Sequence, residues 1–216
     1  MVAVCASPIN AEVVRFTRLD ACGVPVTGVT SMQVTMDAFT EIQVSPNYEE
    51  GQRFLLRKAN GQPCVNQKGA GFLNWAEFTV TVCSIDPSAL VLVTGDRLIS
   101  NGVTGIGAAF GEGLLSTHFS MEVWQPVAGS SACAGGTQQY FYWAFPNAFD
   151  AQLQDWTYQN DTFTFGFKGT TQAASTSWIL GDTWMPGTGA FLADEHFGFA
   201  ITSVAPPVAA CGAITI

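Results

Sequence analysis

Residues 31 to 44, Ser-Met-Gln-Val-Thr-Met-Asp-Ala-Phe-Thr-Glu-Ile-Gln-Val, alternate apolar and polar side chains almost without a break. Successive side chains of a β-strand point to opposite faces. This period of two therefore places Met32, Val34, Met36, Ala38, Ile42 and Val44 on one face and Gln33, Thr35, Asp37, Glu41 and Gln43 on the other, with Phe39 as the one exception. Most strands run five or six residues, and a long one with a wet face belongs to a barrel or a hairpin. The polar face holds acids and amides but neither Lys nor Arg. What it looks onto is the functional question.

The same alternation recurs downstream. Phe78, Val80 and Val82 oppose Glu77, Thr79 and Thr81; Phe119, Met121 and Val123 oppose His118, Ser120 and Glu122; Phe163, Phe165 and Phe167 oppose Thr162, Thr164 and Lys168. Strands are expected near 12–19, 31–44, 76–83, 115–125, 138–145, 161–168 and 196–202, in antiparallel sheet with one packed face per strand. One helix is expected. Asp86-Pro87-Ser88-Ala89-Leu90-Val91-Leu92-Val93-Thr94-Gly95 supplies a capping Asp, Pro at the first helical position, a short apolar body and a terminating Gly. The expected fold class is all-β and antiparallel with one short helix, in a single domain spanning 1–216, with an insertion at 45–75 and an extended C-terminal segment at 203–216.

Of the 216 residues, 48% are apolar and only 12% charged, so the chain buries a core. Charge is uneven: residues 1–70 hold six basic and six acidic residues, residues 71–216 two basic and eleven acidic. Ordinary binding that grips nucleic-acid phosphates needs a basic stripe, and that balance argues against it. The first fifteen residues lack the basic start and apolar run of a secretory leader, and the chain is expected to fold in a cytoplasm. Six scattered cysteines without a C-x-x-C, and only two histidines, support neither a zinc site nor a disulfide framework. Buried free thiols are expected.

Between strands 31–44 and 76–83 lies an excursion with its own hairpin signal, Asn60-Gly61, flanked by Arg53–Lys58 and Cys64–Lys68. Arg53, Arg57, Lys58 and Lys68 are half of all the basic residues in the chain. A structured insertion of this length and charge is expected to contact something, the alternative being a solvated flap.

No catalytic constellation emerges: there is no G-x-S-x-G, H-E-x-x-H or P-loop. Gly105-Ile106-Gly107-Ala108-Ala109-Phe110-Gly111 lacks the βαβ setting of a dinucleotide fingerprint and reads as a loop. His118 and His196 have no nucleophile beside them in sequence. Asn160-Asp161-Thr162 is a formal glycosylation sequon that means nothing without secretion. No cofactor, metal or catalytic residue is expected.

Several segments taken in order resemble the major tail proteins of long-tailed, non-contractile bacteriophages, particularly those infecting actinobacteria. They are the capped turn Asp86–Gly95, the aromatic strand Tyr140-Phe141-Tyr142-Trp143-Ala144-Phe145-Pro146-Asn147, the stretch from Asn160 through Phe165 to Gly169-Thr170-Thr171, and the closing segment His196–Pro207. The resemblance spans roughly residues 8–212. It implies a β-sandwich with a flanking helix that assembles as hexameric rings stacked into a tube for DNA. Each subunit would lend two hairpins to an inner barrel (31–44, 76–83, 115–125 and 138–145), and the 45–75 loop, with Arg53, Arg57 and Lys58, would reach the next ring. The implied partners are further copies of the chain, a tape measure protein and other tail proteins, with DNA in passage and no membrane. The implied location is the virion tail, with assembly in the host cytoplasm.

Joined to the alternation, the resemblance makes Asp37, Glu41, Glu77 and Glu122 lumen-facing, with Gln33, Gln43, Thr79, Thr81 and Ser120 between them. Barrels of sixteen or more strands leave an aqueous channel, and a negative wall would repel phosphate where a basic one would hold it. The plainer reading is that these acids solubilise an outer sheet face. A lectin-like carbohydrate-binding sandwich, with Trp124, Trp156, Trp178 and Trp184 exposed, is the alternative from another class; a jelly-roll glycoside hydrolase would need a carboxylate pair across a groove.

Overall fold

A computed structural model describes residues 10–26, 33–84, 86–102, 105–113, 117–128, 138–156, 164–174, 191–210 and 212. In chain order the elements are β1 (Val13–Leu19), β2 (Gln33–Met36), β3 (Phe39–Glu49), β4 (Arg53–Arg57), β5 (Pro63–Lys68), β6 (Phe72–Val82), α1 (Pro87–Thr94), β7 (Arg97–Ser100), β8 (Gly105–Ala109), β9 (His118–Pro126), β10 (Tyr140–Leu153), β11 (Phe165–Thr171) and β12 (Gly198–Thr202). The fold is all-β with one short helix among the described residues. The main sheet runs β2-β1-β9-β10-β11-β6-β3, with β12 also on β10, and every pairing in it is antiparallel.

Strand β10 decides the architecture. Its first half, Tyr140–Ala144, pairs with β12, and its second half, from Ala148 to Leu153, pairs with β11. Between Phe149 and Gln152 the register shifts, and Asp150 there adopts φ 55. Extra residues of this kind bend a strand. The sheet thus folds over on itself. Phe16 of β1 meets Phe167 of β11 at 5.6 Å, and Phe78 of β6 meets Phe119 of β9 at 6.0 Å, both edge to face, so the two halves share one core.

Helix α1 adds Ala89, Leu90, Leu92 and Val93 to that core. The caps act as the sequence indicates: Asp86 accepts from the Ser88 N–H at 2.8 Å, Pro87 opens the helix, and Gly95 closes it at φ 78 with its N–H on the Val91 carbonyl at 2.9 Å.

Several expectations change. The segment 31–44 is two strands, broken at Asp37-Ala38, with residues 31 and 32 outside the described set. Gly105–Ala109 is no loop: it is β8, paired with the unanticipated β7. Strand β10 continues well past residue 145, because its second half gains a new partner in β11. In the expected strand at 161–168, residues 161–163 lie outside the described set and β11 runs on to Thr171.

The expectation of one packed face per strand fails in the β2-β1-β9-β10 half. Its second face carries a further core of Val13, Leu19, Trp124, Tyr142, Ala144, Ala174 and Phe191. Gln33, Thr35 and Ser120, read as wet, are buried there. In the β3-β6-β11 half, Glu41, Gln43, Glu77 and Lys168 remain exposed, as a one-sided sheet requires.

Candidate functional site

The excursion at 45–75 is the distal half of one long hairpin. Strands β3 and β6 pair from Phe39↔Val82 to Glu49↔Phe72, and β4 and β5 continue from Arg53↔Lys68. At the join, the Gly69 N–H still bonds the Gln52 carbonyl at 2.9 Å. Gly51 lies so close to the partner strand that a β-carbon would stand 2.1 Å from the Gly69 carbonyl oxygen, so the join admits only glycine there. At the tip, Gly61 takes φ 83, its N–H bonds the Lys58 carbonyl at 2.9 Å, and the Asn60 side chain accepts from the Gln62 N–H at 3.2 Å.

Alternation sorts this arm into two faces. Arg53, Leu55 and Arg57 share one with Asn66 and Lys68, and Arg53 donates twice to the Asn66 side chain, at 3.2 and 3.1 Å. Lys68 pairs with exposed Glu50 at 2.7 Å, holding the Glu50 carboxyl below the usual carboxylate range by hydrogen bond and charge. The other face carries Phe54, Leu56 and Val65, exposed by 56%, 62% and 43%. Every residue of β4 and β5 is exposed. Lys58 sits in the tip and Arg57 donates to the Gly61 carbonyl at 3.0 Å.

Below the arm, β3, β6 and β11 present a polar outer face. Cross-strand partners Glu41↔Thr81, Gln43↔Thr79 and Ser45↔Glu77 lie beside Lys168↔Thr79 and Thr170↔Glu77. Asp37 is exposed in the β2–β3 junction. Lys168 gives this face a cation that the segment 31–44 alone did not show. A register shift between Phe39 and Glu41 explains the exception in the alternation: the extra residue, Thr40, lets Phe39 pair with core-facing Val82 while Glu41 pairs with outward Thr81.

Glu122 overturns its lumen assignment. It is 0% exposed, on the second face of β9, where Arg15 of β1 pairs with it through both donors, Nε at 2.6 Å and Nη2 at 2.7 Å. The Tyr142 hydroxyl also donates to it, and the Arg15 guanidinium lies 5.2 Å from the Trp124 ring centre. Burial opposes the Arg15 charge, but the Glu122 carboxylate more than offsets it and raises the Arg15 pKa. Burial first, then the Glu122 charge, pushes the Tyr142 hydroxyl well up. Thr35 Oγ1, Ser120 Oγ and Trp124 Nε1 are buried in the same layer without a hydrogen-bond partner. Sequence reasoning missed this network; Arg15 inside the expected strand 12–19 was its one available signal.

Neither histidine sits in a catalytic arrangement among the described residues. His118 Nδ1 lies 2.9 Å from Asn147 Oδ1 and its ring stacks on Phe149, while buried His196 Nδ1 lies 3.2 Å from the Thr171 hydroxyl. Burial lowers the His196 pKa. No group of three His, Cys, Asp or Glu residues able to hold a metal occurs among the described residues. Cys22, Cys64 and Cys83 are free as expected but exposed, since two lie in turn and arm and one beyond the end of β6. Trp124 is buried and Trp156 44% exposed. Trp178, Trp184 and the sequon at Asn160 lie outside the described residues. No helix among the described residues is long and apolar enough to cross a membrane.

No protein-family model matches this chain, and no curated protein matches it.

Proposed function

We propose that this chain is a structural subunit that polymerises with copies of itself into stacked rings, the tail tube of a long-tailed bacteriophage, through which DNA passes. The observation that carries the reading is the arm, 45–72. A two-stranded ribbon is marginal in water on its own, yet this one leaves an apolar face uncovered beside a basic face. The arm holds four basic and two acidic residues, and the rest of the chain four basic and fifteen acidic. Another copy therefore offers a surface of the opposite charge. The outer edges of β3 and β12, unpaired among the described residues, offer hydrogen-bonding groups for joining sheets between subunits.

In this reading the exposed β3-β6-β11 face, with Asp37, Glu41 and Glu77 but not Glu122, lines the lumen. The rings would meet a tape measure protein and other tail proteins in the virion. The lectin-like alternative loses one of its exposed aromatics, because Trp124 is inside. Light scattering and negative-stain microscopy at high protein concentration test the proposal. Rings or tubes are expected, and a strict monomer with defined sugar binding would replace it with the lectin reading.

A further inference from the structure

Between β3 on one side and β9, β10 and Phe197 on the other, the described residues leave a cleft of about 610 Å³ into the core. Phe39, Ile42 and Val44 line one wall, and Trp143, Phe145 and Phe197 the other. The second wall continues outward as a ladder of rings: Phe145 to Phe197 at 5.7 Å, Trp143 to Phe199 at 5.2 Å, Phe141 stacked on Phe199 at 5.0 Å. It ends at Phe199, 59% exposed. An aromatic surface that runs from a buried ring to an exposed one is unfinished packing.

We infer that this cleft receives the apolar face of the arm, Phe54, Leu56 and Val65, from a second copy of the chain. The inference rests on the assembly reading and specifies its contact. The arm cannot fold back into the cleft of its own subunit. Strand β3 lines it from Phe39 to Pro46 and then leads into the arm, and the ladder bond from Gly69 to Gln52 carries the hairpin onward, so folding back would break the β3–β6 pairing. Burying Phe54, Leu56 and Val65 against Trp143 and Phe197 removes the two apolar surfaces from water together. The basic face of the arm would then lie along a body with an excess of acid. Arm and cleft are different patches, so the contact is heterologous: each subunit gives an arm to one neighbour and takes one from another, and growth continues until a ring or tube results.

The test uses full-length variants. F54D/L56D alters only exposed arm residues. Ile42→Lys places a charge in the cleft, where burial without a partner is unfavourable, and Phe199→Lys places one at the exposed end of the adjoining ladder, where an incoming arm would cover it. With folding checked by circular dichroism, each variant alone is expected to need at least tenfold more protein than the wild type to associate. An equal mixture of F54D/L56D with Phe199→Lys is expected to give a one-to-one heterodimer by light scattering, since one partner keeps a working cleft and the other a working arm. Variants that assemble like the wild type, or a mixture that stays monomeric, overturn the arm-in-cleft contact and leave the tube reading standing. A wild type that never associates overturns both.

Discussion

Arg15 and Glu122, 107 residues apart in sequence, close a bidentate ion pair inside the molecule, with the Glu122 side chain 0% exposed. Removing one partner leaves the other charge buried and uncompensated. Glu122→Ala is expected to cost about 3–5 kcal/mol, while replacing both partners with apolar residues of similar volume costs far less. Urea unfolding of the two single variants and the double variant measures this.

The exposed carboxylates are expected to behave differently. Glu41→Gln and Glu77→Gln, on the open face of β3 and β6, should change stability by no more than about 0.5 kcal/mol. The contrast with Glu122 in the same unfolding assay separates buried from surface acid. If Glu77→Gln costs as much as Glu122→Ala, the open face is covered.

Lysine at Asp37, Glu41 and Glu77 tests the lumen assignment. Such tubes should still assemble but retain DNA at low salt and release it at high salt, because each new cation displaces a counterion from the phosphate backbone. Filter retention across a salt series reads this out. Tubes that assemble and hold no DNA would put the face on the outside.

Deleting residues 50–68 removes the arm at its glycine join and leaves β3 and β6 to close on a shorter turn. The remaining domain should fold, since every residue of β4 and β5 is exposed and none belongs to either core. Its circular dichroism should match the wild type, and its association should be lost. Tubes of normal length from this variant would remove the arm from assembly.

His196 gives a pH dependence with a definite sign. Burial lowers its pKa in the folded protein below the unfolded value near 6.5, so its contribution to stability is present above that pH and lost as pH falls below it. Between pH 7.5 and 5.5 the urea midpoint of the wild type should drop, and that of His196→Gln should drop less. Equal slopes would show that another group governs the window.

The alternation of β3, β6 and β11, the caps of α1 and the Asn60-Gly61 tip were legible in the sequence because each is local: side-chain period, helix-end hydrogen bonds and turn geometry act within a few residues. The all-β class with one short helix follows from them. Which strands would be wet on one side was not local. Glu122, Ser120, Gln33 and Thr35 have the same alternating pattern as Glu41 and Glu77, yet a second core covers the first group and nothing among the described residues covers the second. Only the tertiary structure decided that. The bend of β10 folds the sheet over and brings distant segments onto its faces, and a carboxylate becomes an inner ion pair or an outer charge according to what lies opposite, which no periodicity records.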